Sequence, residues 1–113
     1  MRVIDVATSP TTVTLVVGGD LDLAERDQFP ELAARVNRLA RPMLVVDMCQ
    51  VEFMDSAGAG FLISLARTAA EHGGKTVLRG IAPRDEFVLE VCGAVDLFEI
   101  DRDHTCELSP HPG

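Results

Sequence analysis

The sequence predicts a single small α/β domain, in which helices pack against a mixed β-sheet. The chain has 113 residues, which is the usual length of one domain. Strand-like and helix-like segments alternate along it, as they do in α/β folds. The segment Met43 to Met48 is apolar except for Asp47, and such a run is typical of a parallel strand that is covered on both faces.

Two strands and one helix are predicted in the first third of the chain. A short strand near the N-terminus is followed by a second over Thr12–Val17, where β-branched residues alternate and two glycines end the pattern. Asp22 and Glu25 have the spacing of a helix start, but Pro30 inside a helix would cost about 3 kcal/mol. We therefore expect a short turn first, then a helix with Pro30 in its first turn that ends at Pro42.

Two further helices and two short strands are predicted beyond the apolar run. Asp55 and Ser56 both offer an N-cap for the second helix, which Gly73 and Gly74 would end. A strand follows over residues 76–78, and the last strand covers residues 97–100. The third helix begins at Pro83 with its acids on a solvated face. Its predicted buried residues are Phe87, Val88, Val91 and Cys92. The domain is expected to cover residues 1–100, and residues 101–113 to form a polar, loose tail.

Charge and hydropathy exclude several classes of function. Ten basic residues stand against 18 acidic ones, which gives a net charge of −8. No basic face for nucleic acid or an anionic membrane can be assembled from this composition. No apolar run is long enough to span a bilayer, and the N-terminus lacks the features of a signal peptide. The expected location is the cytoplasm, and no cofactor is expected.

The three cysteines form an odd and unclustered set. Cys49, Cys92 and Cys106 are expected to be reduced thiols of a cytosolic protein. Cys49 and Cys92 are interpreted as small core residues. His104 and Cys106 offer only two ligands, which are too few for a structural zinc site. A redox switch among the three thiols is kept as an alternative.

The segment from Val51 to Leu62 carries the most information. Its glycines, Gly58 and Gly60, weaken a helix start, so we interpret them as allowing close approach by another backbone, a partner or a phosphate. The plainer alternative is that Ser56 is an N-cap. The segment lacks the third glycine of a dinucleotide fingerprint and the ending of a P-loop, so it matches nucleotide motifs weakly. Met54 stands where a nucleophile elbow requires glycine.

The stretch Phe53–Gly60, preceded by the strand Leu44–Met48, resembles the anti-sigma factor antagonists, which are stand-alone STAS domains of bacteria. Gly19–Asp22 is similar to a second signature of that family, and Cys92–Phe98 is similar to its closing stretch. The resemblance runs from about Val3 to Ile100 in the same order of elements.

The resemblance implies a non-enzymatic protein-binding switch. The unphosphorylated protein would bind an anti-sigma factor that is also a serine kinase, and so free a sigma factor to act in transcription. The kinase would phosphorylate Ser56, and a PP2C-type phosphatase would reset the switch. The implied partner-binding residues are Asp22, Asp55, Ser56, Ala57, Gly58, Ala59 and Gly60. Ala57 and Ala59 depart from the family pattern, which leaves the choice of partner open. The alternatives are a redox-responsive version of this module and a small-molecule or nucleotide sensor that uses the Asp55–Gly60 turn.

Overall fold

A five-stranded sheet with the strand order β1-β2-β3-β4-β5 forms the frame of the domain. The computed structural model describes residues 1–106. Its elements are β1 Arg2–Thr8, β2 Thr12–Leu21, α1 Phe29–Leu39, β3 Met43–Met54, α2 Ser56–Glu71, β4 Lys75–Arg79, α3 Pro83–Val91 and β5 Glu99–Asp101. Strand β1 pairs antiparallel with β2, and the other neighbours are parallel. The predicted α/β domain with a mixed sheet is therefore confirmed.

The hydrophobic core lies between the sheet and the helices. In β2, Val13, Leu15 and Val17 are buried, and the residues between them are half-buried. Strands β2 to β5 are parallel and adjacent in chain order, and the connections between such strands are right-handed. The helices α1, α2 and α3 therefore lie on the same face of the sheet. The other large buried residues are Leu21, Phe29, Leu32, Val36, Leu44, Val46, Met48, Met54, Phe61, Leu62, Leu65, Leu78 and Leu89.

Pro30 sets the start of α1, as predicted. A 3-10 turn over Leu23–Gln28 precedes the helix, and Pro30 lies in the first turn, where its missing N–H leaves no hydrogen bond broken. The helix ends at Ala40, which is left-handed with a φ of 48°.

Strand β2 is longer than predicted, because its two glycines lie within it. A Cβ atom on Gly18 would lie 2.8 Å from Ile4 Cδ1 in β1 and 3.2 Å from the Gln50 carbonyl oxygen in β3, so little room is left for a side chain there. Gly19 has a φ of +76°, and the register with β3 shifts directly after it. The pair therefore forms an irregularity inside a continuing strand, as glycines at bulges do.

The predicted buried face of α3 is wrong at three of its four residues; the fourth, Val88, is half-buried against the core. Phe87 is 62% exposed and Val91 is 71% exposed, and Cys92 just beyond them is exposed too. Asp85 and Leu89 are buried instead. Positions four apart share a face of a helix, and apolar and acidic residues are mixed around this short helix. The pattern alone therefore could not select the inward face.

The prediction of three reduced cysteines is also wrong. Cys49 in β3 and Cys106 form a disulfide, with 5.5 Å between their Cα atoms. The two are 57 residues apart in the chain, and only the folding of the sheet brings them together. Cys92 is exposed and is not the core residue predicted.

Residues 101–106 of the predicted loose tail are held against the domain. The Asp101 carboxylate accepts hydrogen bonds from the N–H groups of Asp103 and His104, and the disulfide fixes Cys106. The remainder of the predicted tail lies outside the described residues. Within residues 1–106, no helix is long and apolar enough to cross a membrane.

Candidate functional site

The C-terminal ends of β2 and β3 bring the predicted site residues together. These strands are parallel neighbours, and Leu21 pairs with Met54. Asp22 and Asp55, which follow those two residues, therefore leave the sheet side by side at one edge. Ser56 begins α2 at the same edge. Crevices at this end of parallel strands are the usual binding positions of α/β folds.

The N-cap of α2 is Asp55. Its Oδ1 accepts hydrogen bonds from the N–H groups of Ala57 at 2.9 Å and Gly58 at 3.1 Å. Its Oδ2 accepts the N–H of Leu23 at 3.0 Å, so the same carboxylate also ties the helix to the segment after β2. The interpretation of Ser56 as the cap is therefore wrong, and its hydroxyl has no capping role.

These hydrogen bonds also set the ionisation of Asp55. Partial desolvation acts to raise the pKa of its carboxyl, but the backbone N–H groups of Gly58, Leu23 and Ala57 together outweigh it and lower the pKa below the ordinary 3.8. The side chain is therefore a carboxylate at neutral pH. It places one fixed negative charge directly beside Ser56.

Gly58 allows close approach by another backbone, that of β2, which is one of the three interpretations made from the sequence. It is buried, and a Cβ atom there would lie 2.1 Å from the carbonyl oxygen of Leu21. The first turn of α2 therefore rests on the backbone of β2. Ala59 is completely buried as well. Gly60 differs from both, because it is exposed and a Cβ atom there would meet nothing within 4 Å.

The accessible residues of the site lie near the start of α2 and the ends of β2 and β3. Ser56 and Gly60 are exposed one helical turn apart, and Ala57 between them is half-buried. Two large apolar side chains nearby are exposed. Leu23, directly after Asp22, is 56% exposed, and Phe53, two residues before Asp55, is 45% exposed. We call Leu23, Phe53, Ser56, Ala57 and Gly60 the Ser56 surface.

Sequence reasoning missed the contribution of Leu23 and Phe53. The available signal was that Leu23 directly follows Asp22 and that Phe53 lies two residues before Asp55, so a large apolar residue stands near each predicted site aspartate. It also missed Arg84 in α3, whose Nη2 donates to the carbonyl oxygen of Glu52 at 2.7 Å. Arg84 therefore holds the end of β3 in place just before Phe53.

Asp22 lies beside Asp55 but makes no cap. It precedes the 3-10 turn in an extended conformation, and no side-chain capping hydrogen bond is formed there. Among residues 1–106 its buried Oδ1 has no hydrogen-bond partner. The Asp22 side chain therefore lies at the same end of the sheet as Ser56 and makes no capping hydrogen bond.

The capping of α2 by Asp55 argues against a phosphate-binding loop at this helix start. A phosphate at a helix start is held by the first backbone N–H groups. In α2 the N–H groups of Ala57 and Gly58 already donate to Asp55. An incoming nucleotide would have to displace that carboxylate, so this geometry disfavours the nucleotide-sensor alternative.

A separate cluster of potential metal ligands lies elsewhere on the sheet. The donor atoms of Cys49, His104 and Cys106 are all within 4.8 Å of one another, and each residue is half-buried. The sequence offered His104 and Cys106 as two ligands, and the fold adds Cys49 from β3. His104 Nε2 also lies 3.9 Å from Asp47 Oδ2.

Comparison with known proteins supports the fold and its class. The family model described as the STAS domain matches residues 3–106. The anti-sigma factor antagonist SpoIIAA in its unphosphorylated form is 20% identical, with 88% of each chain covered and a TM-score of 0.70. RsbS from Moorella thermoacetica, as a variant, is 24% identical over 89% of this chain and 86% of its own, with a TM-score of 0.71.

A third structure, the Bacillus cell fate determinant SpoIIAA in the phosphorylated form, is 20% identical. It covers 88% of this chain and 91% of its own, with a TM-score of 0.66. At these identities the likeness shows a shared fold. No curated protein matches the chain significantly in sequence.

Proposed function

The chain belongs to the STAS domain family, and from that premise we propose that it is an anti-sigma factor antagonist controlled by phosphorylation of Ser56. In this proposal the protein is not an enzyme. Its unphosphorylated form binds an anti-sigma factor that is also a serine kinase and thereby frees a sigma factor. Two of its structural relatives are an anti-sigma factor antagonist in its unphosphorylated and phosphorylated forms, which supports this class of function.

The exposed hydroxyl of Ser56 is the observation that carries the proposal. It stands at the first residue of α2, where Asp55 alone makes the capping hydrogen bonds. The hydroxyl is therefore available to a kinase without any loss to the fold. A phosphate there would also lie at the positive end of the helix dipole, which tolerates an anion.

Phosphorylation would act on the contact surface through charge. A phosphate adds about −1.5 to −2 charges at neutral pH. It would be placed directly beside the Asp55 carboxylate, at the strand ends where Leu23 and Phe53 are exposed apolar residues. Desolvating that dianion within a close interface opposes association, so the phosphorylated form releases its partner. A PP2C-type phosphatase restores binding by removing the phosphate.

The assignment of Ser56 is tested by phosphate transfer. The purified chain is incubated with labelled ATP, alone and with an extract of the cells that make the protein, and the modified residue is mapped by mass spectrometry. We expect no labelling with ATP alone and labelling of Ser56 with the extract. Ser56→Ala should remain unlabelled. Ser64→Ala is the matched control, because Ser64 is exposed on the same helix, and it should be labelled like the wild type. Labelling of Ser56→Ala would refute the site.

Partner binding is tested with Ser56→Asp. Once the kinase has been identified, calorimetry should show at least about tenfold weaker binding of this variant, which corresponds to about 1.4 kcal/mol. Its melting temperature should change little, because an acid at a helix start is favourable. Equal affinities of wild type and variant would remove the electrostatic argument.

A redox-responsive version of the same module is the second candidate, and the disulfide of Cys49 and Cys106 favours it. The disulfide fixes the segment after β5 to β3, the strand that leads to Ser56. Opening the disulfide requires two electrons and two protons from a reductant. If this candidate holds, partner affinity should depend on reductant in the wild type and not in Cys49→Ser. An affinity that is independent of reductant in both would exclude it.

A further inference from the structure

We propose that the protein carries a metal-binding site for Zn²⁺, formed by Cys49, His104 and Cys106 when their disulfide is reduced. Two thiolates and one imidazole are the donor set that zinc prefers. The donor atoms already lie within 4.8 Å of one another. This inference does not depend on the proposed phosphorylation switch, because it concerns different residues.

The surroundings of the sulfur atoms indicate a built site. Gly80 follows β4 with a φ of +70°, and a Cβ atom there would lie 2.3 Å from Cys49 Sγ and 2.7 Å from Cys106 Sγ. Both sulfur atoms therefore rest directly on a backbone position that only glycine leaves open. Each ligand residue is half-buried, which limits competition from bulk water while leaving an entry path for an ion.

Asp47 supplies a second layer behind the ligands. It is 8% exposed, and its Oδ1 accepts the N–H of Cys49 at 3.0 Å. Its Oδ2 accepts from Arg79 Nε at 2.9 Å and lies 3.9 Å from His104 Nε2. Metal-bound histidines commonly donate their other ring N–H to a carboxylate; the 3.9 Å between His104 Nε2 and Asp47 Oδ2 is longer than a hydrogen bond and would shorten to one when the metal binds. Because both oxygens are engaged, we assign Asp47 to positioning and leave the fourth coordination position to water.

The ligands can adjust to a metal once the disulfide is open. Cys106 lies beyond β5 in a segment without helix or strand, and opening the disulfide removes the covalent bond that fixes it to Cys49. A thiol or phosphine reductant supplies the two electrons and two protons that convert the disulfide to two thiols. Zinc then binds the two sulfurs as thiolates, and the two thiol protons are released to solvent.

The test is a zinc titration of the full chain, reduced with a phosphine and followed by competition with a chromophoric chelator. We expect one Zn²⁺ per reduced chain and none bound by the oxidised chain. Co²⁺ in place of zinc should show thiolate-to-metal charge-transfer absorption. Cys49→Ser should lose the charge-transfer band and most of the affinity. His104→Gln should bind at least tenfold more weakly.

Two matched variants serve as controls. Cys92→Ser removes a cysteine and His72→Gln a histidine outside the cluster, since both residues are exposed, and both variants should bind zinc like the wild type. Circular dichroism reports folding of every variant, and if Cys49→Ser fails to fold, His104→Gln decides. The proposal is overturned if the reduced wild type binds no zinc, if the oxidised chain binds it equally, or if His104→Gln binds as tightly as the wild type.

Discussion

Replacing Gly58 by alanine should destabilise the domain, although alanine is the better helix former. The new Cβ atom would stand 2.1 Å from the carbonyl oxygen of Leu21 and 2.9 Å from its Cβ atom, whereas real contacts of this kind are essentially never below 3.0 Å. The start of α2 must therefore move away from β2 by about 1 Å. That carbonyl oxygen also accepts the N–H of Asp55 at 3.2 Å, so the shift weakens a hydrogen bond as well.

The expected magnitude follows from two opposing effects. Overpacking of a closely packed position costs about 1–3 kcal/mol and occasionally more. The gain in helix propensity from glycine to alanine returns up to about 1 kcal/mol. Because the clash is with backbone, which cannot rotate away, we expect a net loss of roughly 1–2 kcal/mol. For a domain near this size, each kcal/mol lowers the Tm by about 4–8 °C.

Gly60→Ala is the matched control for this experiment. It lies in the same turn of α2, but its Cβ atom would enter open space. The propensity gain should then appear alone, as a rise in Tm of up to about 4–8 °C. Thermal and denaturant unfolding of the two variants give the comparison directly. If Gly58→Ala were as stable as Gly60→Ala, the packing of α2 on Leu21 would not have the geometry described, and the argument would fail.

Three further outcomes are expected. Asp55→Ala should lose about 1–2 kcal/mol of unfolding free energy, because three backbone N–H groups lose their acceptor; unchanged denaturant midpoints would contradict this. Because the folded pKa of Asp55 lies below its ordinary 3.8, its contribution is complete above that pH and is lost as pH falls through the folded pKa. The difference in unfolding free energy between wild type and Asp55→Ala should therefore shrink in acid. A difference that grows in acid would mean that the pKa of Asp55 is raised by folding. Phe87→Ser should change stability by no more than about 0.5 kcal/mol, because Phe87 is exposed. Leu89→Ala should cost about 2–5 kcal/mol, because Leu89 is buried. Equal losses in the two variants would mean that Phe87 is buried, as the sequence predicted.

Much of the architecture followed from the sequence because it depends on local physics. The apolar run that begins at Met43 predicted a strand, and that strand is β3. It is not covered equally on both faces, because Val45 is half-buried between the buried Leu44 and Val46. Pro30 could enter a helix only in its first turn, and α1 begins there. The pattern around Asp55 and Ser56 located the start of α2, and the resemblance of that stretch singled out the family that the whole chain then matched.

Other properties depend on which distant residues the fold brings together. Gly58 and Gly60 look equivalent in sequence, and only the position of Leu21 beneath one of them distinguishes a packing glycine from an open one. Asp55 and Ser56 are both residue types that cap helices well. Asp55 also accepts a hydrogen bond from the N–H of Leu23, and that contact exists only because β2 lies beside β3. Cys49 and Cys106 meet because Gly80 leaves room for both sulfur atoms over the backbone. Sequence determined where strands and helices form, since periodicity and chain stiffness act over neighbouring residues. Tertiary structure decided which of those residues are buried, paired or exposed, since contacts between segments far apart in the chain have no local pattern.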